Sequence, residues 1–385
     1  MNVPKLRFKE FNDDWKNYIL NEESDVRDGT HDSPKYIDDG YPLVTSKNLN
    51  DDGTLDLDNV SYLKQEDFDK INQRSKVDVG DILFGMIGTI GKPVRIMRDD
   101  FAIKNVALIK EKGLIKNDYL IHYLHSSNIT KQFANNMDGG TQKFIALDKI
   151  RKLKINMPSR EEQKKIVKLF DLLDEKIKLQ ARKIEDLKLF KKGLHDKLFN
   201  EVTGNDYLLS DIAVFENGKG HENIIDENGK YILINSKFIS TEGNVTKKCY
   251  EQLTPLFKND ITMVMSDLPN GKALAKCYYI DENNKYSLNQ RICKIKVKDD
   301  SIINSKYLFY LLNRNSYYLR FDDGVNQTNL KKDDILSLNL VLPSIKEQER
   351  DSKTLTIIDN FIEKENNKLS KLFLLKKGLM QSMFV

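Results

Sequence analysis

The sequence predicts an α+β protein made of two similar heads and two long coiled-coil helices, related by an internal pseudo-twofold repeat. Three observations predict this. Residues 139–199 reappear without a gap as residues 324–384, at a constant offset of 185 positions. Each repeated segment carries an apolar 3-4 spacing sustained over about 40 residues, the signature of a coiled-coil seam. The stretches ahead of them mix strand-like and helix-like runs in the same order. A chain that contains one half twice folds as two copies of a module. At 385 residues it is long enough for two cores of ordinary size. Two equivalent modules imply contact with something twice, or with two copies of a partner.

The expected parts are a first head over residues 1–158, a first long helix over 159–200, a second head over 201–343 and a second long helix over 344–385. Within the heads, Tyr41-Pro42-Leu43-Val44-Thr45-Ser46-Lys47 parallels Tyr231-Ile232-Leu233-Ile234-Asn235-Ser236-Lys237. Gly80-Asp81-Ile82-Leu83-Phe84 parallels Asn259-Asp260-Ile261-Thr262-Met263. The runs beginning at Tyr119 and Tyr307 read as amphipathic helices. Residues 102–109 and 291–297, rich in β-branched side chains, read as buried strands.

Each long helix starts after a proline. Pro158-Ser159 leads to Glu162-Gln163, and Pro343-Ser344 leads to Glu347-Gln348. Serine followed three residues later by glutamate is a capping-box start. The seam then runs Ile166, Phe170, Leu173, Ile177, Gln180, Ile184, Leu187 in the first copy. In the second it runs Leu355, Ile358, Ile362, Glu365, Leu369, Leu372. Gln180 and Glu365 hold the same heptad position near each midpoint. In an antiparallel pair such polar residues either fix register or simply leave the seam leaky. At 1.5 Å per residue each helix would span about 60 Å.

Composition narrows the function. Charged residues make up 31 % of the chain, hydrophobic residues 39 %, and the net charge is +4. That balance is compatible with nucleic acid without arguing for it, because basic patches are local. No apolar run approaches the roughly 20 residues of a membrane span, and the start lacks the apolar stretch of a signal peptide. Three cysteines without CxxC spacing point to a reducing, cytoplasmic setting. His122 and His125 have the spacing of a zinc pair, but helix packing or surface exposure explains them as well, and no metal site is assigned. The run Gly85-Met86-Ile87-Gly88-Thr89-Ile90-Gly91-Lys92 misses the phosphate-loop pattern, with Pro93 where Ser or Thr belongs. No dinucleotide fingerprint, nucleophile elbow or other catalytic set is present. Asp99-Asp100 and Asp322-Asp323 read as turn chemistry.

What recurs instead is donor-rich loop chemistry at equivalent places. The first head offers Thr30, His31, Thr45, Ser46, Lys47, Thr89, Lys92, Thr141, Gln142 and Lys143. The second offers Asn235, Ser236, Lys237, Asn270, Lys272, Asn326, Gln327, Thr328 and Asn329. Asn and Gln can bond adenine bidentately, Lys reads guanine or holds phosphate, and Ser and Thr do either. Ordinary turn chemistry would use the same residues.

The duplicated Pro-Ser-x-x-Glu-Gln helix starts, the terminal Lys-Lys-Gly-Leu at 191–194 and 376–379, and Gly139-Gly140-Thr141-Gln142 ahead of Pro158 resemble the specificity subunit of type I restriction–modification systems. Lys5-Leu6-Arg7-Phe8, Trp15 and the run Asp28-Gly29-Thr30-His31-Asp32-Ser33-Pro34 fit the same family. The second copy departs at Val325-Asn326, which puts its detailed contacts apart from the first. The resemblance implies that each head is a target recognition domain reading half of a bipartite, asymmetric site in double-stranded DNA. It implies that the helices pair antiparallel, set the spacer and dock two methyltransferase (M) subunits, with restriction (R) subunits joining them. It also implies a non-catalytic subunit without cofactor of its own, S-adenosylmethionine, ATP and Mg being held by the partners. The competing readings are a protein-binding coiled-coil scaffold without DNA specificity and a stand-alone DNA-modifying enzyme.

Overall fold

The structure, a computed structural model, describes residues 3–88, 90–134 and 144–384. It forms two compact units. One joins Met1–Arg182 to Asn366–Val385, and the other is Lys183–Glu365. Each unit therefore contains one head, part of the helix that follows that head in the sequence or precedes it, and part of the other long helix.

The two heads have the same wiring. In the first, a four-stranded antiparallel sheet runs in the order Ser24–Asp28, Val106–Glu111, Ile82–Gly85, Gly91–Arg95. In the second the order is Ala213–Asn217, Ile292–Val297, Ile261–Val264, Cys277–Tyr279. Beside each lies a three-stranded sheet with one parallel pair: Tyr41–Val44 with Ala102–Ile103, and Tyr231–Ile234 with Tyr286–Leu288. Ile82–Gly85 and Ile261–Val264 are buried at every position because both faces are covered, so they read as continuous runs rather than alternating ones. A short antiparallel pair closes each head, Lys16–Ile19 with Lys154–Met157 and Asn205–Leu208 with Asn339–Leu342.

One expectation is corrected. Residues 102–109 are not one strand. Ala102–Ile103 lies in the three-stranded sheet and Val106–Glu111 in the four-stranded one. The break falls at Lys104-Asn105, where Asn105 adopts a left-handed backbone (φ 55°) that no strand can continue through.

The long helices run Arg160–Asn200 and Ile345–Met383. Of the seam positions, Ile166, Phe170, Leu173, Ile184, Leu355, Ile358 and Glu365 are buried, and Ile177, Gln180, Leu187, Ile362, Leu369 and Leu372 are half-buried. Glu365 is neutralised by Lys183 at 3.2 Å. Within each unit the helix segments run antiparallel, and the repeat makes the contacts reciprocal. In the first unit Lys376 pairs with Asp174. In the second, Lys191 pairs with Asp359 at 2.5 Å. These are the same two repeated positions with the copies exchanged.

The helix starts explain the Pro-Ser-x-x-Glu-Gln pattern. Gln163 Nε2 donates to the Pro158 carbonyl (3.2 Å), and Gln348 Nε2 donates to that of Pro343 (2.9 Å), tying the first turn to the end of the strand before it. In the second copy Ser344 donates its backbone N–H and its hydroxyl to Glu347. In the first copy Ser159 Oγ accepts from the Glu162 amide, but the Glu162 carboxylate is taken by Arg7 in a bidentate pair at 2.7 Å. Glu162 is 1 % exposed. Removing Arg7 would strand a buried carboxylate, at a cost of about 3–5 kcal/mol. Arg7→Ala should therefore destabilise the first unit by that order, and adding Glu162→Gln should recover part of it. Native-state hydrogen exchange reads this out, and a loss below about 1 kcal/mol would contradict it.

Candidate nucleic-acid interface

In each head the chain crosses between the two sheets at a narrow place, and the polar loops gather there. Gly29 follows the strand Ser24–Asp28 and donates to the Val106 carbonyl (3.0 Å). A Cβ on it would lie 2.4 Å from the Ile103 oxygen. Gly218 occupies the matching place, bonded to Ile292, and a Cβ there would lie 2.0 Å from the Asn289 oxygen. Only glycine lets the backbones pass so closely. Thr30 then bridges Lys104, as Lys219 bridges Asn289.

The Thr45-Ser46-Lys47 and Asn235-Ser236-Lys237 match proves to be a repeated helix cap. Thr45 has φ −123° and ψ 174°, and Asn235 has φ −125° and ψ 175°. Thr45 donates its amide and its hydroxyl to Asn48 Oδ1, both at 2.9 Å. Asn235 Oδ1 accepts from the Phe238 amide at 2.9 Å. Ser46, 4 % exposed, pins three segments together: its hydroxyl donates to the Asn105 carbonyl (3.1 Å) and accepts from the Met86 amide (3.3 Å). Ser236 is half-buried, whereas Lys47 and Lys237 project at the same exposed position of the two heads.

His31 sits beside this junction. Its Nδ1 lies 2.7 Å from Asn105 Oδ1 and its Nε2 lies 2.9 Å from Asp28 Oδ2. Arg74 pairs with the other oxygen of Asp28. The hydrogen bonds to Asn105 and Asp28 raise the imidazole pKa above its ordinary value, against burial and the Arg74 charge. Lys92, in a left-handed conformation, is paired with Asp51 at 2.9 Å. An open cavity of about 500 Å³ lies here, lined among others by Thr45, Lys47, Gly88, Lys104 and Asn105. Thr89, Thr141, Gln142 and Lys143 lie outside the described residues.

In the second head, Thr328–Asn329 forms a two-residue strand against Ser266–Asp267, which brings the 322–329 loop onto the loop that carries Asn270 and Lys272. Gln327 Nε2 donates to Ser266 Oγ (2.7 Å), Asn270 Nδ2 to the Gly324 carbonyl (3.3 Å) and Asn326 Nδ2 to Asp323 (3.1 Å). The Asp267 carboxylate folds the 267–274 turn by accepting from the amides of Leu268, Ala273 and Leu274. Thr328 is buried, while Asn270, Lys272, Asn326, Gln327 and Asn329 are exposed. The first head is wired alike: Ile145 donates to the Met86 carbonyl (2.9 Å) as Leu330 does to that of Met265 (2.8 Å).

Sequence reasoning missed Asn105, Lys104 and Arg74, and in the second head the exposed Arg291, left-handed at φ 67°. The available signal was a polar residue interrupting the buried run ahead of Val106 and of Ile292 in both copies. His122 takes the packing role. It is buried, its Nε2 lies 3.0 Å from Asp171, and its ring packs on Phe170. Among the described residues no cluster of three His, Cys, Asp or Glu could hold a metal, and no helix is long and apolar enough to cross a membrane.

Two heads of one topology, carried on repeated helices and differing in their loops, define a duplicated recognition protein. The chain belongs to the family of the type I restriction modification DNA specificity domain, whose model matches twice, at residues 12–189 and 204–373. It is 25 % identical over 415 residues to a putative type I restriction enzyme MjaX specificity subunit of Methanocaldococcus jannaschii, covering 98 % of this chain and 95 % of that one. The MjaVIII specificity subunit of the same organism is 24 % identical, over 80 % of this chain and 79 % of its own. The S subunit of a type I restriction–modification system from M. genitalium has the same fold. Its TM-score is 0.62 at 15 % identity, covering 100 % of this chain and 99 % of that one. A second solved structure, described as underlying complex assembly and conformational transition of the type I R-M system, superposes with a TM-score of 0.60 at 15 % identity, over 95 % of this chain and 96 % of its own.

Proposed function

We propose that this chain is the non-catalytic, DNA-reading subunit of a type I restriction–modification complex. Each head reads one half of a bipartite, asymmetric site. The long helices set the unread spacer and receive two methyltransferase subunits, and restriction subunits join that assembly. Methyl donor, ATP and Mg belong to those partners.

The observation that carries this is one wiring used twice with different outward side chains. His31 and Lys47 are exposed on the first head, with Thr30 and Lys92 half-buried beside them, and Lys237, Asn270, Lys272, Asn326 and Gln327 are exposed on the second. Scaffolds of one strand topology with unlike loops suit two unlike half-sites, since a few side chains per groove suffice for readout. Thr45, Ser46, Asn235, Ser236, Thr328 and Asn329 hold these loops in shape. A second feature supports twofold docking. Leu172, Leu189 and Phe190 are exposed on the first helix, and the residues 185 positions on, Ile357, Leu374 and Leu375, are exposed on the second. Apolar surface repeated at matched positions suits two copies of one partner better than a solvated face. A methyltransferase must extrude its target base, which demands a firmly held flank.

Exchanging residues 1–158 for another head should alter one half-site and leave the other unchanged. DNA binding by the assembled complex should weaken linearly in log salt, with a slope set by the phosphates contacted. Binding without salt dependence, or a head exchange that changes both half-sites or neither, would favour a protein scaffold.

A further inference from the structure

Asn105 stands where the chain leaves one sheet for the other, with Ile103 paired to Val44 and Val106 paired to Gly85. Its left-handed backbone suits Asn better than most residues. That backbone is held from both sides: the amide donates to the Thr30 carbonyl (3.2 Å) and the carbonyl accepts from Ser46 Oγ (3.1 Å). Asn105 lines the open cavity together with Lys47, Gly88 and Lys104. Oδ1 is held by His31 Nδ1 at 2.7 Å, and His31 is in turn held by Asp28, which Arg74 anchors. Among the described residues no hydrogen bond engages Asn105 Nδ2. A carboxamide clamped by one end on a rigid turn, its donor end unbonded at the edge of a lysine-lined opening, has the form of a base reader.

The geometry points to Asn105 as a specificity-determining residue of the first head, presenting Nδ2 as a donor to N7 of an adenine in duplex DNA, with His31 as the residue that positions it. The inference rests on the DNA-reading function proposed above. Oδ1 keeps a second lone pair, which can accept from the adenine N6 amino group, so the bidentate Asn–adenine pairing is available. Asp28 and Arg74 are the charged groups that face His31, one from the preceding strand and one, through Asp28, from the helix Gln65–Ser75. As placed, both ring nitrogens face oxygens, which only the imidazolium form satisfies. When the proton is lost, Nε2–H stays on Asp28 and Nδ1 becomes an acceptor. The carboxamide then turns over and shows Oδ1 in place of its donor. The raised His31 pKa extends the charged form beyond the range of an ordinary imidazole, so adenine preference is present at acid pH and falls as pH rises.

The test uses the complex of this chain with its methyltransferase subunit. Methylation is measured on DNA duplexes mutated one base pair at a time, with the second head's half-site as internal reference. Asn105→Gly keeps the left-handed turn and should lose about 5- to 150-fold of discrimination at one adenine only, the range of a single good base contact. Asn105→Asp, an acceptor only, should shift that position toward cytosine. In the wild type the discrimination ratio should fall with rising pH, and His31→Gln should abolish that dependence. An unchanged motif in both Asn105 variants overturns the inference while leaving DNA reading intact. A wild-type complex that shows no split motif at all overturns the proposed function, and the inference falls with it.

Discussion

Inserting four residues, about one helical turn, at equivalent points of both long helices should change the gap between the two half-sites and leave the bases of each unchanged. The helices run Arg160–Asn200 and Ile345–Met383 without a break. A turn adds about 5–6 Å along the axis, the rise of one to two base pairs of DNA. Four residues also keep the seam on nearly the same face, so Ile166, Phe170 and Leu173 stay inward. Methylated motifs read from cells carrying the insertion give the answer directly. A motif with the old gap would mean that the helices do not act as the ruler, whatever the heads do.

The second large effect lies at the end of the chain. Phe384 → Ala should lower the stability of the first unit by about 3–5 kcal/mol. Phe384 is 6 % exposed and its ring lies against Phe170 (5.4 Å), Tyr123 (5.5 Å) and Tyr119 (5.9 Å), contacts that add to its burial. Met380 and Met383 join the same core. The repeat predicts a mirror effect. Phe199, the matching residue, packs on Tyr307 at 4.9 Å, and Tyr307 matches Tyr119. Phe199→Ala should therefore weaken the second unit, and by less, because Phe199 is only half-buried. Hydrogen exchange resolved by segment distinguishes the two. Equal loss of protection in both units from either variant would contradict the assignment.

Much of the architecture is legible in the sequence because it depends on short-range periodicity. The 3-4 apolar spacing names the seam positions, and the Pro-Ser-x-x-Glu-Gln pattern marks both helix starts. The identical Asp174/Asp359 and Lys191/Lys376 pairs are visible as repeats. That each Lys meets the Asp of the other copy requires an antiparallel crossing, which no local pattern encodes. Arg7 is similar: its bond to Glu162 spans 155 positions, and nothing near either residue announces it. In the loops the difficulty is chemical. Thr45 and Asn235 stand out in the sequence for hydrogen-bonding capacity, which a helix cap uses as readily as a DNA base. Lys104-Asn105 is hard to pick out because the apolar runs Ala102-Ile103 and Val106-Ala107-Leu108-Ile109 on either side make residues 102–109 read as one strand. The backbone turn at Asn105 is what separates the two sheets, and the residue there is half-buried.

The proposed function requires the two heads of one chain to read two blocks of DNA. Co-expression with the cognate methyltransferase subunit in a host lacking methylation, followed by single-molecule methylome sequencing, tests it most directly. The expected result is one new split motif, two short defined blocks around a fixed unspecified gap. A stable complex that leaves the genome without such a motif would contradict it and favour a scaffold that binds proteins alone.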